Sequence, residues 1–211
     1  ADAGGFYPLL AAAMRMRRDT NAGGLTLLCC DNLAHNGRVL EGLMREYLAA
    51  RAPDLAHWFA QACTCPSTMV DRIVPATTEA DRIAAMIETG LEDVALVVTE
   101  PFSQWVIEDR FAAGRPRWEA VGVRLVDDVA PYETAKLRML NGAHSLLAYC
   151  GLAAGHTFVH EAIAEPALRG AAEALMEDAA ATIAAAPGQD LAAYGASLIE
   201  RFSNRALSHR L

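Results

Sequence analysis

Hydrophobic positions along the chain follow the helical period more often than the alternating one. Over residues 6–18, Phe6, Leu9, Leu10, Ala13 and Met14 fall on one side with arginines after them, which predicts a helix. Asn21-Ala-Gly-Gly24 reads as a turn. Leu25 to Cys30 is a continuous apolar run of strand length and predicts a buried strand. Polar residues and Gly37 close it, and a helix over about Val39 to Ala50 follows. Strand, polar loop, helix is the local grammar of an α/β unit, which gathers its ligands at the carboxyl ends of strands. Asn32 stands at that kind of position.

Pro53 to Gln61 reads as a short helix, and Pro66 to Pro75 as irregular, bracketed by prolines. A helix over Ala80 to Glu88 has its cap at Thr77 or Thr78. Val94 to Thr99 and Val121 to Val126 are strand-like. From Tyr132 onward the pattern is helical, with breaks at Gly151, Gly155, Pro166 and Pro187-Gly188. The Ala-rich stretch 162–186 is expected to pack helix on helix, because Leu168, Leu175, Met176 and Ile183 recur at helical spacing. No internal repeat is found. The expected class is mainly α with a small β component.

Composition narrows this picture. Of 211 residues, 53% are hydrophobic and 21% charged, which suits a soluble globular protein with a substantial core. No apolar run reaches the ~20 residues of a membrane-spanning helix, and no signal segment opens the chain, so a cytoplasmic location is expected. The net charge of −8 argues against nucleic-acid partners, which require clustered positive charge. Arg15, Arg17 and Arg18 read as a solvated helix face. Cys29, Cys30, Cys63, Cys65 and Cys150 are expected as reduced thiols, and the Cys29-Cys30 and Cys63-Thr-Cys65 pairs as buried ones, since their spacings do not match a zinc knuckle. The chain opens without Met and stops in a helix-like stretch, so it is expected to be part of a longer protein.

Candidate chemistry concentrates in Lys136-Leu-Arg-Met-Leu-Asn141-Gly-Ala-His144. Redox chemistry at a secondary alcohol needs a base, donors to the developing oxyanion and a hydride acceptor. Lys136, Asn141 and His144 could supply the first two. On a straight helix Lys136 and His144 are about 12 Å apart along the axis, and lysine leans toward the N-terminus. Convergence therefore requires Lys136 near a helix start or a local irregularity. On spacing alone, a solvated Lys136 and a core His144 stay open. Tyr132-Glu-Thr-Ala-Lys136 matches a Tyr-x-x-x-Lys pattern, but Pro131 precedes it and no Gly-rich loop lies upstream. His156 and His160 have a metal-compatible spacing without a third ligand, and Asp127-Asp128 reads as a helix-entry cap.

Five ordered blocks resemble one family. They are Cys30-Asp-Asn-Leu-Ala-His-Asn-Gly37, Cys65 to Pro75, Glu100-Pro-Phe-Ser-Gln-Trp-Val-Ile-Glu-Asp109, Gly114 to Glu119, and Asp128 to Ser145. Together they are similar to the long-chain, polyol-specific secondary-alcohol dehydrogenases, which include mannitol 2-dehydrogenase and fructuronate reductase. The resemblance implies Lys136 as general base, Asn32 and Asn141 as oxyanion donors, and His144 as a substrate-orienting group. It implies contact of Asp71 with a substrate hydroxyl, help from Glu133 in moving protons to and from Lys136, NAD or NADP as cofactor, and no metal. It further implies the end of a Rossmann-type α/β domain in residues 1–65 and a helical catalytic domain in 66–211.

No G-x-G-x-x-G occurs in the chain, so the 211 residues alone are expected to bind NAD(H) negligibly and to be inactive. Ala112 to Glu119, Lys136 to Gly142 and Leu175 to Asp178 are more similar to fructuronate reductases. Pro131 to Glu133 and His35 to Gly37 lean toward mannitol dehydrogenases. The expected substrate is D-mannonate/D-fructuronate, with mannitol or arabinitol as the alternative. A non-catalytic helical interaction module is the alternative of another class.

Overall fold

The computed structural model describes residues 5–211. Helices dominate, and the strands are few and short. Contacts divide the chain into two compact units: the residues up to Val70 with Gln104–Ala130, and Asp71–Ser103 with Pro131–Leu211. The division expected after residue 65 falls just before the first passage between units, and segment 104–130 returns to the first unit.

In the first unit, α1 (Tyr7–Asp19) carries Pro8 in its first turn, where a missing N–H costs no intrahelical bond. Its Ala11 and Met14 share one core with Met44 and Leu48 of α2 (Asn36–Arg51) and Leu55 and Phe59 of α3 (Pro53–Ala62). The basic cluster has specific tasks. Arg15 and Arg18 pair with Asp54, and Arg17 donates to the carbonyls of Ala22, Gly23 and Gly24. That grip turns the chain into β1 (Leu25–Thr26), which runs parallel to β2 (Cys63–Thr64). The expected strand Leu25–Cys30 thus forms a ladder over two residues only, because β2 supplies no more neighbouring backbone. Beyond it, Leu27 N–H reaches the Thr64 carbonyl at 2.9 Å, and the Thr68 hydroxyl reaches that of Cys29 at 2.6 Å.

The stretch read as irregular contains β3 (Thr68–Asp71). Buried Asn36 explains part of this: its carboxamide accepts from Thr68 N–H and donates to the Thr68 carbonyl, at 2.9 Å each, as a neighbouring strand would. β3 neighbours β4 (Gln104–Glu108), which runs parallel to β5 (Arg124–Val126). β4 ends in a charge and breaks the apolar pattern, which hid it. Its Glu108 is buried because it accepts from Ser67 N–H at 2.9 Å. A 3-10 turn, Trp118–Val121, occupies the start of the second predicted strand.

In the second unit, α4 (Glu79–Thr89) begins with a capping box between Thr78 and Asp81, at the expected cap. Val94–Thr99 forms no strand among the described residues; Thr77 meets it through its side chain, whose hydroxyl donates to the Leu96 carbonyl at 3.0 Å. Next come α5 (Ala130–Ala135), a π-helical turn (Lys136–Asn141) and α6 (Gly142–Ala153). The short α7 (Val159–Ala162), α8 (Pro166–Ala181) and α9 (Leu191–Phe202) follow. Asp128 caps α5 by accepting from Ala130 N–H at 2.9 Å. Met139, Ala143 and Leu147 form a core with Ile163, Ala172, Met176, Leu198 and Phe202. Gly151, expected to break the chain, lies inside α6 instead. It is buried there, and a Cβ would run into that of Ala162. Gly155 and Gly188 do end segments, with φ of +90° and +73°. No helix among the described residues is long and apolar enough to cross a membrane.

Candidate active site

Lys136 opens the π turn inside an otherwise continuous helical rod, for Ala135 and Gly142 on either side hold right-handed helical angles. A π turn closes its hydrogen bond five residues on rather than four, and so takes up one extra residue. On a regular helix Asn141 would stand ~140° round from Lys136, and His144 ~80°. Absorbing one residue reduces those angles to about 40° and 20°. Lys136, Asn141 and His144 therefore share one face. This is the local irregularity that their spacing demanded.

The surroundings of each group set its protonation. Lys136 is half-buried, and burial pushes its amine below the usual lysine range. The Asp71 carboxylate opposes that shift, the Arg201 guanidinium adds to it, and Glu133, one turn earlier, opposes it more weakly. Burial also lowers His144, so the imidazole is neutral near pH 7, while a backbone hydrogen bond with Arg210 works the other way. A backbone bond that favours the protonated ring must run to a carbonyl. One ring nitrogen therefore donates to Arg210, and Nε2 is left as an acceptor. Nε2 is buried and has no protein partner. The ring stacks on His209 with centroids 4.6 Å apart, and burial pushes His209 down to about 4.

Asp71, at the end of β3, is 1% exposed. Both of its oxygens accept from Arg201, at 2.7 and 3.1 Å, and one also accepts from the Tyr194 hydroxyl at 2.7 Å. The same guanidinium donates to Glu100 at 2.7 to 3.2 Å, and Phe102 lies 4.0 Å beneath it. Arg201, Glu100 and Tyr194 were not among the residues singled out from the sequence. No local motif marks them, because partners at 71, 100, 194 and 201 meet only through the fold. Asn32 stands exposed in the first unit, in the bend between β1 and α2.

The remaining candidates go elsewhere. Tyr132 is 3% exposed, within the core. His156 pairs with Glu165 at 3.4 Å, whereas His160 stacks on Phe158. Of the five free thiols, Cys65 is fully buried and pushed up to about 12 by that burial. Cys150 is exposed, and so is Cys30, contrary to the burial expected of it. Cys30 turns outward because the strand that was to bury it ends at Thr26.

One further signal was present in the sequence. Lys136 is the only lysine, and the other 17 basic residues are arginine. Arginine cannot be deprotonated in a protein, whereas a buried lysine can.

Residues 5–120 match the mannitol dehydrogenase Rossmann domain, and residues 128–211 the mannitol dehydrogenase C-terminal domain. D-mannonate oxidoreductase of Escherichia coli (strain K12) is 45% identical over 202 residues, which is 95% of this chain and 42% of that protein. Polyol:NADP oxidoreductase of Gluconobacter oxydans (strain 621H) is 44% identical over 203 residues, again 42% of that protein. The Pseudomonas fluorescens mannitol 2-dehydrogenase structure, a ternary complex with NAD and D-mannitol, aligns with a TM-score of 0.81 at 40% identity. That alignment covers 97% of this chain and 42% of that one. The chain thus spans about two fifths of the length of these relatives. With a Rossmann-domain match followed by a C-terminal-domain match, the chain belongs to the mannitol dehydrogenase family.

Proposed function

We propose that the protein serves NAD(P)-dependent, metal-independent interconversion of a secondary alcohol and its ketose, with D-mannonate/D-fructuronate as the first candidate pair. The observation that carries this reading is the lone lysine, half-buried at the head of a π turn that aligns it with Asn141 and His144. In alcohol oxidation the neutral Lys136 amine takes the hydroxyl proton, so the hydroxyl needs no metal to activate it. The Asn141 carboxamide donates to the oxygen as charge develops, and Asn32 is assigned the same task through the family resemblance. His144 Nε2, buried and unpartnered, accepts from a second substrate hydroxyl and so orients the carbon chain. Glu133 passes protons to and from Lys136, and Asp71 supplies the negative charge that the amine meets.

The residues present fit one end of a nicotinamide dinucleotide. A cavity of about 380 Å³ at the carboxyl side of β1 is lined by Tyr7, Leu27, Cys29, Asp31 and Asn36, among others. The 211 residues hold no Gly-rich loop for the pyrophosphate. When bound, the cofactor would accept or return the hydride.

The substrate preference rests on the blocks similar to fructuronate reductases and on the kinship with D-mannonate oxidoreductase. The likeness to a mannitol-bound structure favours a second reading, mannitol or arabinitol oxidation. Five free cysteines accord with a reducing, cytoplasmic setting.

Steady-state assays of the full-length gene product on fructuronate, fructose and tagaturonate, with NADH and NADPH, separate these readings. Lys136→Ala is expected to lower kcat by about 10²–10⁴-fold or more. Unchanged turnover in that variant removes the base assignment, and a higher kcat/KM for fructose than for fructuronate replaces the substrate.

A further inference from the structure

Three charged side chains that carry no assigned role in the reaction, or only a partial one, lie together out of solvent. Arg201 is 7% exposed, Glu100 2% and Asp71 1%. Buried ions without compensation are strongly disfavoured, and here one cation faces two carboxylates. The guanidinium uses its whole fork. Two nitrogens bind the two Asp71 oxygens, Nε and one terminal nitrogen bind Glu100, and the Phe102 ring covers its face. Each carboxylate has a second anchor: Tyr194 donates to Asp71, and Ile73 N–H donates to Glu100 at 2.6 Å. Arg72 holds the backbone carbonyl of Glu100 from outside, at 2.9 and 3.0 Å. Neither carboxylate can turn away without breaking several charge-assisted hydrogen bonds.

We propose that Arg201 is a positioning residue for Lys136: by gripping Asp71 and Glu100 together, it fixes how much carboxylate charge the lysine amine meets. The charged groups whose fields reach that amine are Asp71 from β3, Arg201 from α9 and Glu133 from its own helix. Asp71 favours the ammonium and Arg201 disfavours it, so the pair balances two opposing fields at one site. Glu100 shares one terminal nitrogen of the guanidinium with Asp71 and takes Nε besides, and the Tyr194 hydroxyl fixes the Asp71 carboxylate through its second oxygen. A purely structural clamp would hold α9 against the Asp71 and Glu100 segments without any directional effect on the lysine.

This inference rests on the reading of Lys136 as the base, but its test does not depend on turnover. Because Lys136 is the only lysine, lysine labelled with ¹³C and ¹⁵N gives one side-chain signal in the 211-residue chain. Its pH midpoint is followed by NMR and assigned by its loss in Lys136→Arg. Asp71→Asn is expected to lower the midpoint by about one unit, and Arg201→Gln to raise it by a similar amount. Arg201→Lys, which keeps the charge and adds a second lysine signal assigned in a Lys136→Arg background, should leave the Lys136 midpoint closer to the parent than Arg201→Gln does. Shifts of the same sign in Asp71→Asn and Arg201→Gln, or no shift in either, overturn the proposal. If Arg201→Gln does not fold, Asp71→Asn decides alone: an unmoved midpoint overturns it and a lowered one supports it. A Lys136→Ala enzyme with full turnover would instead remove the base assignment and leave this titration standing.

Discussion

Lys136 shows how residue chemistry and burial combine. A chain that uses arginine at every other basic position places its single amine where burial depresses the ammonium. An arginine there would stay charged at any accessible pH and could take no proton. The sign of the pH dependence follows. With Lys136 as the proposed base, alcohol oxidation requires the neutral amine, so its kcat/KM should rise with pH and level off at a midpoint below the ordinary 10.5 of lysine. Ketone reduction requires the ammonium and should fall through the same midpoint. Initial-rate profiles in both directions check this, and a profile without a shared midpoint below 10.5 contradicts it. At this scale the sequence showed Lys136, Asn141 and His144 by type and order. Arg201 and Glu100 were not visible, because a buried arginine is recognised only by the carboxylates that the fold brings to it.

At the scale of elements, two helices are specified by opposite means. α4 buries none of its residues, so its first turn depends on the Thr78–Asp81 capping box. Thr78→Ala should weaken that turn by about 1 kcal/mol, seen as roughly fivefold faster amide exchange in Glu79–Arg82 with α8 unaffected. Equal protection in both proteins would show that the cap contributes nothing there. The cap was legible because capping is a matter of neighbouring residues. The rod from Ala130 to Ala153 is the contrary case. Its π turn has no sequence signature, and Met139 within it and Ala143 just after it are both buried in the core. Strands failed in the same way. Leu25–Cys30 and Val94–Thr99 have the right apolar character, but a ladder requires paired backbone: β2 pairs with the first over two residues, and the second receives a side-chain bond from Thr77 in place of a ladder.

At the scale of the whole molecule, the 211 residues bring Lys136, Asp71 and Arg201 into one unit and hold no Gly-rich loop for a pyrophosphate. Isothermal titration of this chain with NADH is expected to show negligible binding, because it holds no Gly-rich loop for the pyrophosphate, and a micromolar Kd would contradict that expectation. The sequence by itself determined the helix-dominated class, the helix caps and the residues in the family's ordered blocks, because periodicity, capping and motif order are local properties. Only the tertiary structure decided that 104–130 returns to the first unit, that Gly151 lies within a helix, and that Lys136 faces Asp71 and Arg201. Those outcomes depend on contacts between residues as far apart as 71 and 201, and the free energy of such contacts exists only once the chain has closed around them.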